Sequence, residues 1–124
     1  MLELTDTLLH ILHISIIIIN LTFWMSTRTL RLAQVTLGLT LISWIGFGFA
    51  YGLGYCFLTD WHWQVKEALG ERDLPVSYIK LVLDRTFKLD TNPDSVNTAA
   101  LIGILFGICG CIFQTLRTYL RRIS

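Results

Sequence analysis

The chain has 124 residues, of which 53% are hydrophobic, and a formal net charge of +1. This length suits a single domain, and the small net charge argues against nucleic acid or an acidic molecule as a partner. Charged residues are absent from three long stretches, which are Thr7–Thr27, Leu32–Thr59 and Ser95–Leu116. A bilayer core about 30 Å thick needs roughly 20 helical residues to cross it. We therefore predict an integral membrane protein with three spans.

The predicted fold is all-α. It is an integral membrane three-helix bundle with a short extracytoplasmic helical segment between the second and third spans. The whole chain, residues 1–124, forms one membrane domain. The predicted spans cover about 6–27, 32–56 and 93–118, and the outer segment covers 57–92.

The first predicted span begins at Thr5 or Asp6, either of which can cap a helix. Its acidic start is unlike the basic start of a signal peptide, so we expect the span to be retained. His10 and His13 share one face of it, where they can contact a cofactor, relay protons or bond to neighbouring helices. We favour the structural role. The third histidine, His62, lies in the outer segment, so this chain alone cannot build a bis-histidine haem site.

Basic residues predict the orientation. Arg28 and Arg31 lie in the first connection, and Arg117, Arg121 and Arg122 lie in the C-terminal tail. Lys and Arg in short loops favour the cytoplasmic side. The two clusters agree if the N-terminus is outside and the C-terminus is cytoplasmic. The opposite orientation would place both arginine clusters outside the cell.

Glycines mark the predicted packing faces of the second and third spans. In lipid, helices associate through close backbone approach and hydrogen bonds, and glycine permits close approach. We expect spans two and three to pack through these faces, although one stripe can instead serve a partner chain. The glycines of the two stripes are Gly38, Gly48 and Gly52 in span two, and Gly103, Gly107 and Gly110 in span three.

The outer segment opens with the densest polar and aromatic patch of the chain, which is Asp60, Trp61, His62 and Trp63. One interpretation is an acid–base pair of Asp60 and His62 in a pocket lined by the two tryptophans. The other, which we favour, is an aromatic belt at the membrane surface with Asp60 capping a short helix that ends at Gly70. No carboxylate lies inside the three uncharged stretches, which argues against an independent proton-coupled carrier.

Two further helix starts can be predicted. The segment Tyr78–Phe87 has an apolar face and a charged face, which is typical of an amphipathic helix packed on lipid or on the spans. Asn92 followed by Pro93 favours a capped start of span three.

The three cysteines, Cys56, Cys109 and Cys111, are expected to be packing thiols. Their spacing fits neither a disulfide nor a four-ligand zinc site. The sequence has no H-E-x-x-H motif, phosphate loop or nucleophile motif. We therefore expect neither a bound cofactor nor a metal, and enzymatic activity is the less favoured class.

Together, the histidine of an apolar first span and the motif after the second span resemble a bacterial family of small membrane proteins known only as domain of unknown function 2784. The residues that carry this resemblance are Cys56, Leu58, Thr59, Trp61 or Trp63, and His13. The resemblance covers residues 8–115. It implies a compact helical bundle in a bacterial inner membrane, and it implies no activity.

The few polar groups in the spans and the abundant small residues favour a non-catalytic protein. We expect an accessory or structural subunit of a larger bacterial inner-membrane complex, for which a respiratory assembly is one candidate. Its expected partners are membrane lipid and integral membrane protein. The alternative is a membrane enzyme, or a redox or quinone-associated module, with a site at the outer face around Asp60 and His62.

Overall fold

The computed structural model describes residues 1–51, 56–75 and 77–124, and every regular element in these ranges is helical. The helices are α1 Leu2–Thr22, α2 Leu30–Leu41, α3 Gly48–Tyr51, α4 Phe57–Ala68, α5 Tyr78–Phe87 and α6 Pro93–Ile123. A 3₁₀ turn at Phe23–Met25 continues α1, and a π-helical stretch at Ile42–Gly46 links α2 to α3.

Three helical segments are long and apolar enough to cross a membrane: Leu2–Met25, Leu30–Tyr51 and Pro93–Ile123. Helices α1, α2 and α6 contact one another in all three pairs. The first helix begins at Leu2 without a side-chain cap, so the predicted cap at Thr5 or Asp6 is wrong. The predicted start of the third is confirmed, because the Asn92 side chain accepts a hydrogen bond from the Asp94 amide at 2.8 Å.

A small apolar core lies between α2 and α6. Its buried members are Leu30, Leu37, Ile104 and Cys111. Cys111 thus packs as the sequence suggested, whereas the Cys109 thiol is exposed. Each free cysteine side chain on α6 therefore faces a different environment.

The glycine face of α6 makes its closest approach to α1 and the 3₁₀ turn after it, which the sequence did not predict, while Leu37 of the predicted partner, span two, also lies near Gly107. A Cβ atom at Gly107 would lie 2.5 Å from the Asn20 carbonyl oxygen, and one at Gly110 would overlap the Trp24 ring. Gly38 on α2 has no atom within 4 Å of the corresponding position, so it is not a contact. Gly48 is buried, and Gly52 lies outside the described residues.

Helix α4 begins beside the π-helical stretch within the second apolar segment, whereas the predicted outer segment would begin beyond the end of that span. Its first amide, Phe57 N–H, donates to the Ser43 hydroxyl at 3.1 Å, in the π-helical stretch before α3. The predicted cap is also wrong, because α4 begins at Phe57 and Asp60 lies in its first turn. From there α4 packs along the N-terminal half of α1, where Leu58 and Val65 cluster with Leu9.

Helix α5 has the predicted bounds and is tied to the start of α6. Lys80 Nζ donates to the Asp84 carboxylate at 2.7 Å and to the Thr91 carbonyl at 2.6 Å. Asp84 also accepts from the Thr91 amide at 2.9 Å. The hydrogen bond from Lys80 and, to a smaller extent, that from the Thr91 amide lower the pKa of Asp84 to about 2. This network fixes the connection between the two helices.

We predict that Gly107→Ala destabilises the fold, because the new methyl group would meet the backbone of α1 and not a flexible side chain. Overpacking of this kind costs about 1–3 kcal/mol. The effect is measured by thermal unfolding of the purified protein in a mild detergent, with circular dichroism as the signal.

Gly38→Ala and Gly103→Ala are matched controls. A Cβ atom at Gly38 would have no atom within 4 Å, and one at Gly103 would make an ordinary 3.5 Å contact with the Leu21 side chain. Alanine also favours a helix over glycine by about 1 kcal/mol. Both controls should unfold at or above the wild-type temperature, and a Gly107→Ala protein as stable as they are would contradict the close contact between α6 and α1.

Candidate functional site

A cluster of polar side chains joins α1, α4 and α5 at the end of the molecule where the chain begins. Helix α1 contributes residues at i, i+4 and i+7, and α4 contributes residues at i, i+3 and i+7, so each set shares one helical face. The two faces meet. This polar cluster consists of Asp6, His10, His13, Thr59, His62, Lys66, Glu71, Tyr78 and Arg85.

Lys66 is the buried cation of the polar cluster, with a side chain that is only 2% exposed. Its Nζ lies 3.0 Å from Asp6 Oδ1 and 3.1 Å from Glu71 Oε2. Arg85 Nη1 in turn lies 2.8 Å from Glu71 Oε1. Two carboxylates thus face two cations, and the formal charges cancel. Burial raises the pKa of Glu71, but the hydrogen bonds from Lys66 and Arg85 outweigh it and leave that pKa lowered.

His62 is completely buried between α4 and α1. Its Nε2 lies 2.8 Å from Asp6 Oδ1, so this nitrogen carries the proton and donates to the carboxylate. Burial lowers the pKa of His62 even though Asp6 opposes the effect, so the imidazole is neutral near pH 7. The other ring nitrogen, Nδ1, has no hydrogen-bond partner among the described residues.

Both ring nitrogens of His13 have partners. Nδ1 donates to the Leu9 carbonyl at 3.1 Å, and Nε2 accepts from the Thr59 hydroxyl at 3.1 Å. The ring also stacks on Tyr78, with centroids 4.0 Å apart and planes 12° apart. His13 therefore connects α1 to α4 and α5, which supports the structural role favoured from the sequence.

His10 lies at the edge of the polar cluster and is partly exposed. Its Nδ1 lies 2.9 Å from the Tyr78 hydroxyl, and its Nε2 lies 3.9 Å from Asp6 Oδ2. Its ring meets that of His62 edge-on, with centroids 4.5 Å apart. Burial, with a smaller effect of Asp6, raises the pKa of Tyr78, so the phenol stays protonated.

The predicted outer-face patch is divided by the helix that carries it. Asp60 and Trp61 are exposed on α4, whereas His62 turns inward. His62 bonds to Asp6 and not to Asp60. Trp63 donates from Nε1 to the Pro75 carbonyl at 2.7 Å and thereby anchors the connection that leads to α5.

Asp6 and Lys66 had no predicted role in a site, although the sequence contains a signal for both. Asp6, His10 and His13 share one face of α1, while Thr59, His62 and Lys66 share one face of a predicted helix. Each stripe is visible in the sequence. Their contact is not, because it depends on how α4 returns along α1.

Among the described residues, Asp6, His10 and His62 have the geometry to hold a metal. One ligand atom from each lies within 4.8 Å of the others. The sequence suggested no such site, because these residues come from distant segments. A haem does not fit between the imidazoles, since the His10 and His62 centroids are 4.5 Å apart.

The comparisons with known proteins give one match. A family model described as "Protein of Unknown function (DUF2784)" matches residues 3–114. Comparison with curated proteins and with solved structures yields no match.

We predict that Asp6→Asn destabilises the protein by about 3 kcal/mol, because loss of one partner leaves the buried Lys66 charge poorly compensated. Adding Lys66→Met should restore part of that stability, since an apolar side chain no longer needs the carboxylate. Denaturation of both single variants and the double variant gives their coupling energy. Simple additivity of the two effects would contradict the pairing of Asp6 with Lys66.

Proposed function

Because the chain belongs to the DUF2784 family, whose function is unknown, we propose a function from its own geometry. The protein is a small non-catalytic three-helix bundle of the bacterial inner membrane, and it serves as an accessory subunit of a larger complex. The observation that carries this proposal is the burial of Lys66 between two carboxylates of the same chain.

The centre of the polar cluster, formed by His13, His62 and Lys66, is buried. Lys66 bonds to Asp6 and Glu71, and both ring nitrogens of His13 are hydrogen-bonded within the chain. A catalytic acid or base needs a group within hydrogen-bond reach of a substrate. The cluster instead holds α4 and α5 against α1, which is the role of a structural clamp. This supports a non-catalytic protein.

An aromatic surface on the outside of the molecule supports a protein partner. We define it as Phe47, Phe57 and Trp61. The rings of Phe47 and Phe57 lie 6.3 Å apart, and Trp61 follows Phe57 by one helical turn. Phe57 and Trp61 are 51% and 52% exposed. Aromatic side chains dominate the binding energy of many protein interfaces, so this surface is our candidate contact with another membrane protein.

The proposed orientation places the N-terminus outside and the C-terminus in the cytoplasm. Arg28 lies between α1 and α2, Arg31 lies in the first turn of α2, and Arg121 and Arg122 lie in the last turn of α6. The two arginine groups are at the same end of the antiparallel helices, where Gln114 Nε2 donates to the Met25 carbonyl at 3.2 Å. The positive-inside rule then assigns this end to the cytoplasm and the polar cluster to the outer side.

A redox or quinone-associated module remains the second candidate, and one observation favours it. A groove of about 240 Å³ opens between α1 and α5 beside the polar cluster. Its polar lining includes His10, Tyr78 and Arg85, while Ile14 and Leu81 supply apolar contacts. A quinone has a flat ring with hydrogen-bond acceptors and an apolar tail, which match the polar and the apolar lining of the groove. The candidate quinone site therefore lies beside His10, and not around Asp60 as the sequence analysis suggested.

We predict that wild-type protein purified in a mild detergent retains a stoichiometric membrane-protein partner. The double variant Phe57→Ala/Trp61→Ala should lose it, because the aromatic surface is removed. Phe113→Ala is the matched control, since Phe113 is 60% exposed but lies on α6. Quantitative mass spectrometry of the copurified proteins provides the measurement.

The same preparation separates the two candidate functions. Elution of the wild-type chain without any protein partner would contradict the subunit role. Equal loss of the partner in the Phe113→Ala control would instead contradict the assignment of the contact to the aromatic surface. A quinone recovered by solvent extraction from wild-type protein, and missing from His10→Gln, would favour the second candidate.

We predict that green fluorescent protein fused after Ser124 fluoresces in a bacterial host, because the arginines before it hold the tail in the cytoplasm. Alkaline phosphatase fused at the same position should be inactive, since it needs the oxidising periplasm. An active phosphatase fusion together with a dark fluorescent fusion would reverse the proposed orientation.

A further inference from the structure

We propose that Asp6, His10 and His62 form a binding site for a divalent transition-metal ion such as Zn²⁺, and that the ion displaces Lys66 from the Asp6 carboxylate. This inference goes beyond the proposed function and does not depend on it. Two imidazoles and one carboxylate are a ligand set that zinc and neighbouring metals accept, with a further position left for water.

The three ligand atoms are close to the spacing that a metal requires. A tetrahedral ion with bonds of about 2.1 Å holds its ligand atoms about 3.4 Å apart. Asp6 Oδ1 lies 2.8 Å from His62 Nε2, and Asp6 Oδ2 lies 3.9 Å from His10 Nε2. All three ligands lie within 4.8 Å of one another. Side-chain rotations that bring the ligand atoms up to about 1.4 Å closer together would complete the coordination.

Hydrogen bonds orient His10 toward this position. The Tyr78 hydroxyl lies 3.4 Å from the His10 carbonyl, which can only accept, and 2.9 Å from His10 Nδ1. Both contacts are satisfied when Tyr78 donates to the carbonyl and Nδ1–H donates to Tyr78. In that tautomer the Nε2 lone pair faces Asp6. Metal-ligating histidines are commonly oriented by such a bond from their second nitrogen.

His62 provides the independent observation. It is completely buried, and its Nδ1 has no hydrogen-bond partner among the described residues. Metal binding through Nε2 moves the ring proton to Nδ1, so the imidazole stays neutral and no proton is released. No existing bond at Nδ1 has to be broken. The Nε2 bond to Asp6 is replaced by two bonds to the metal, one from each side chain.

Lys66 occupies the position on Asp6 that an added cation would take. It also bonds to Glu71 at 3.1 Å, so it keeps one carboxylate after displacement. The ion enters from the exposed edge, where the side chains of Asp6 and His10 are 21% and 32% accessible. Because the ammonium competes with the metal and repels it, its removal should strengthen metal binding.

Metal binding can be tested on full-length protein carrying a tag without histidine, treated with a chelator and reconstituted in nanodiscs. Titration with Co²⁺ reports coordination through its visible absorption bands, and calorimetry with Zn²⁺ gives the affinity. We expect one ion per chain. His10→Gln and His62→Gln should weaken binding about tenfold or more, and Lys66→Met should tighten it about tenfold.

His13→Gln is the matched control, because His13 belongs to the same cluster but both its nitrogens are already bonded. It should bind Co²⁺ like the wild type. Circular dichroism checks the fold of each variant. If His62→Gln fails to fold, the partly exposed His10 decides the outcome.

Three results would overturn the proposal. They are a wild-type protein that binds no stoichiometric Co²⁺, a His10→Gln protein that binds as tightly as wild type, and a His13→Gln protein weakened as much as His10→Gln. An unchanged or weaker affinity in folded Lys66→Met would overturn the displacement of Lys66.

Discussion

The burial of one ammonium group determines how this molecule is assembled. A charge removed from water must be compensated by nearby opposite charge and by hydrogen bonds. Lys66 obtains both from carboxylates on two different segments, Asp6 in α1 and Glu71 after α4. The Asp6–Lys66 contact therefore favours the register in which α4 lies against α1. The arginine of α5 then bonds to the second carboxylate, so the same constraint extends to the next helix.

At the opposite end of the molecule, the helices associate through close backbone packing. Gly107 and Gly110 let α6 approach the backbone of Asn20 and the ring of Trp24. Lipid offers apolar side chains the same surroundings as a neighbouring helix, so contact must come from close packing and hydrogen bonds. Asn20 supplies one such bond, donating to the Thr40 hydroxyl at 3.0 Å. Helix α1 thus lies at the centre, with a polar face toward α4 at one end and a small-residue contact with α6 at the other.

The sequence predicted what depends on local pattern. Long uncharged stretches identified the three apolar helices, the Asn92–Pro93 pair marked the start of α6, and the two-sided segment Tyr78–Phe87 gave α5. It could not predict which helix faces which. A glycine stripe shows that a face permits close approach but does not identify the neighbouring helix, so the close contact of Gly107 with α1 was not predicted. The partner of His62 was missed for the same reason. Asp60 is near in sequence, whereas Asp6 is near in space.

The separation of Asp6 from Lys66 along the chain has a consequence for biogenesis. Synthesis proceeds from the N-terminus, so α1 leaves the ribosome before α4 has been translated. During that interval the carboxylate and the two imidazoles of α1 lack the side chains that later bond to them. Water or the insertion machinery has to solvate this face in the meantime. The polar face of α1 therefore gains its bonding partners only when a much later segment returns to it.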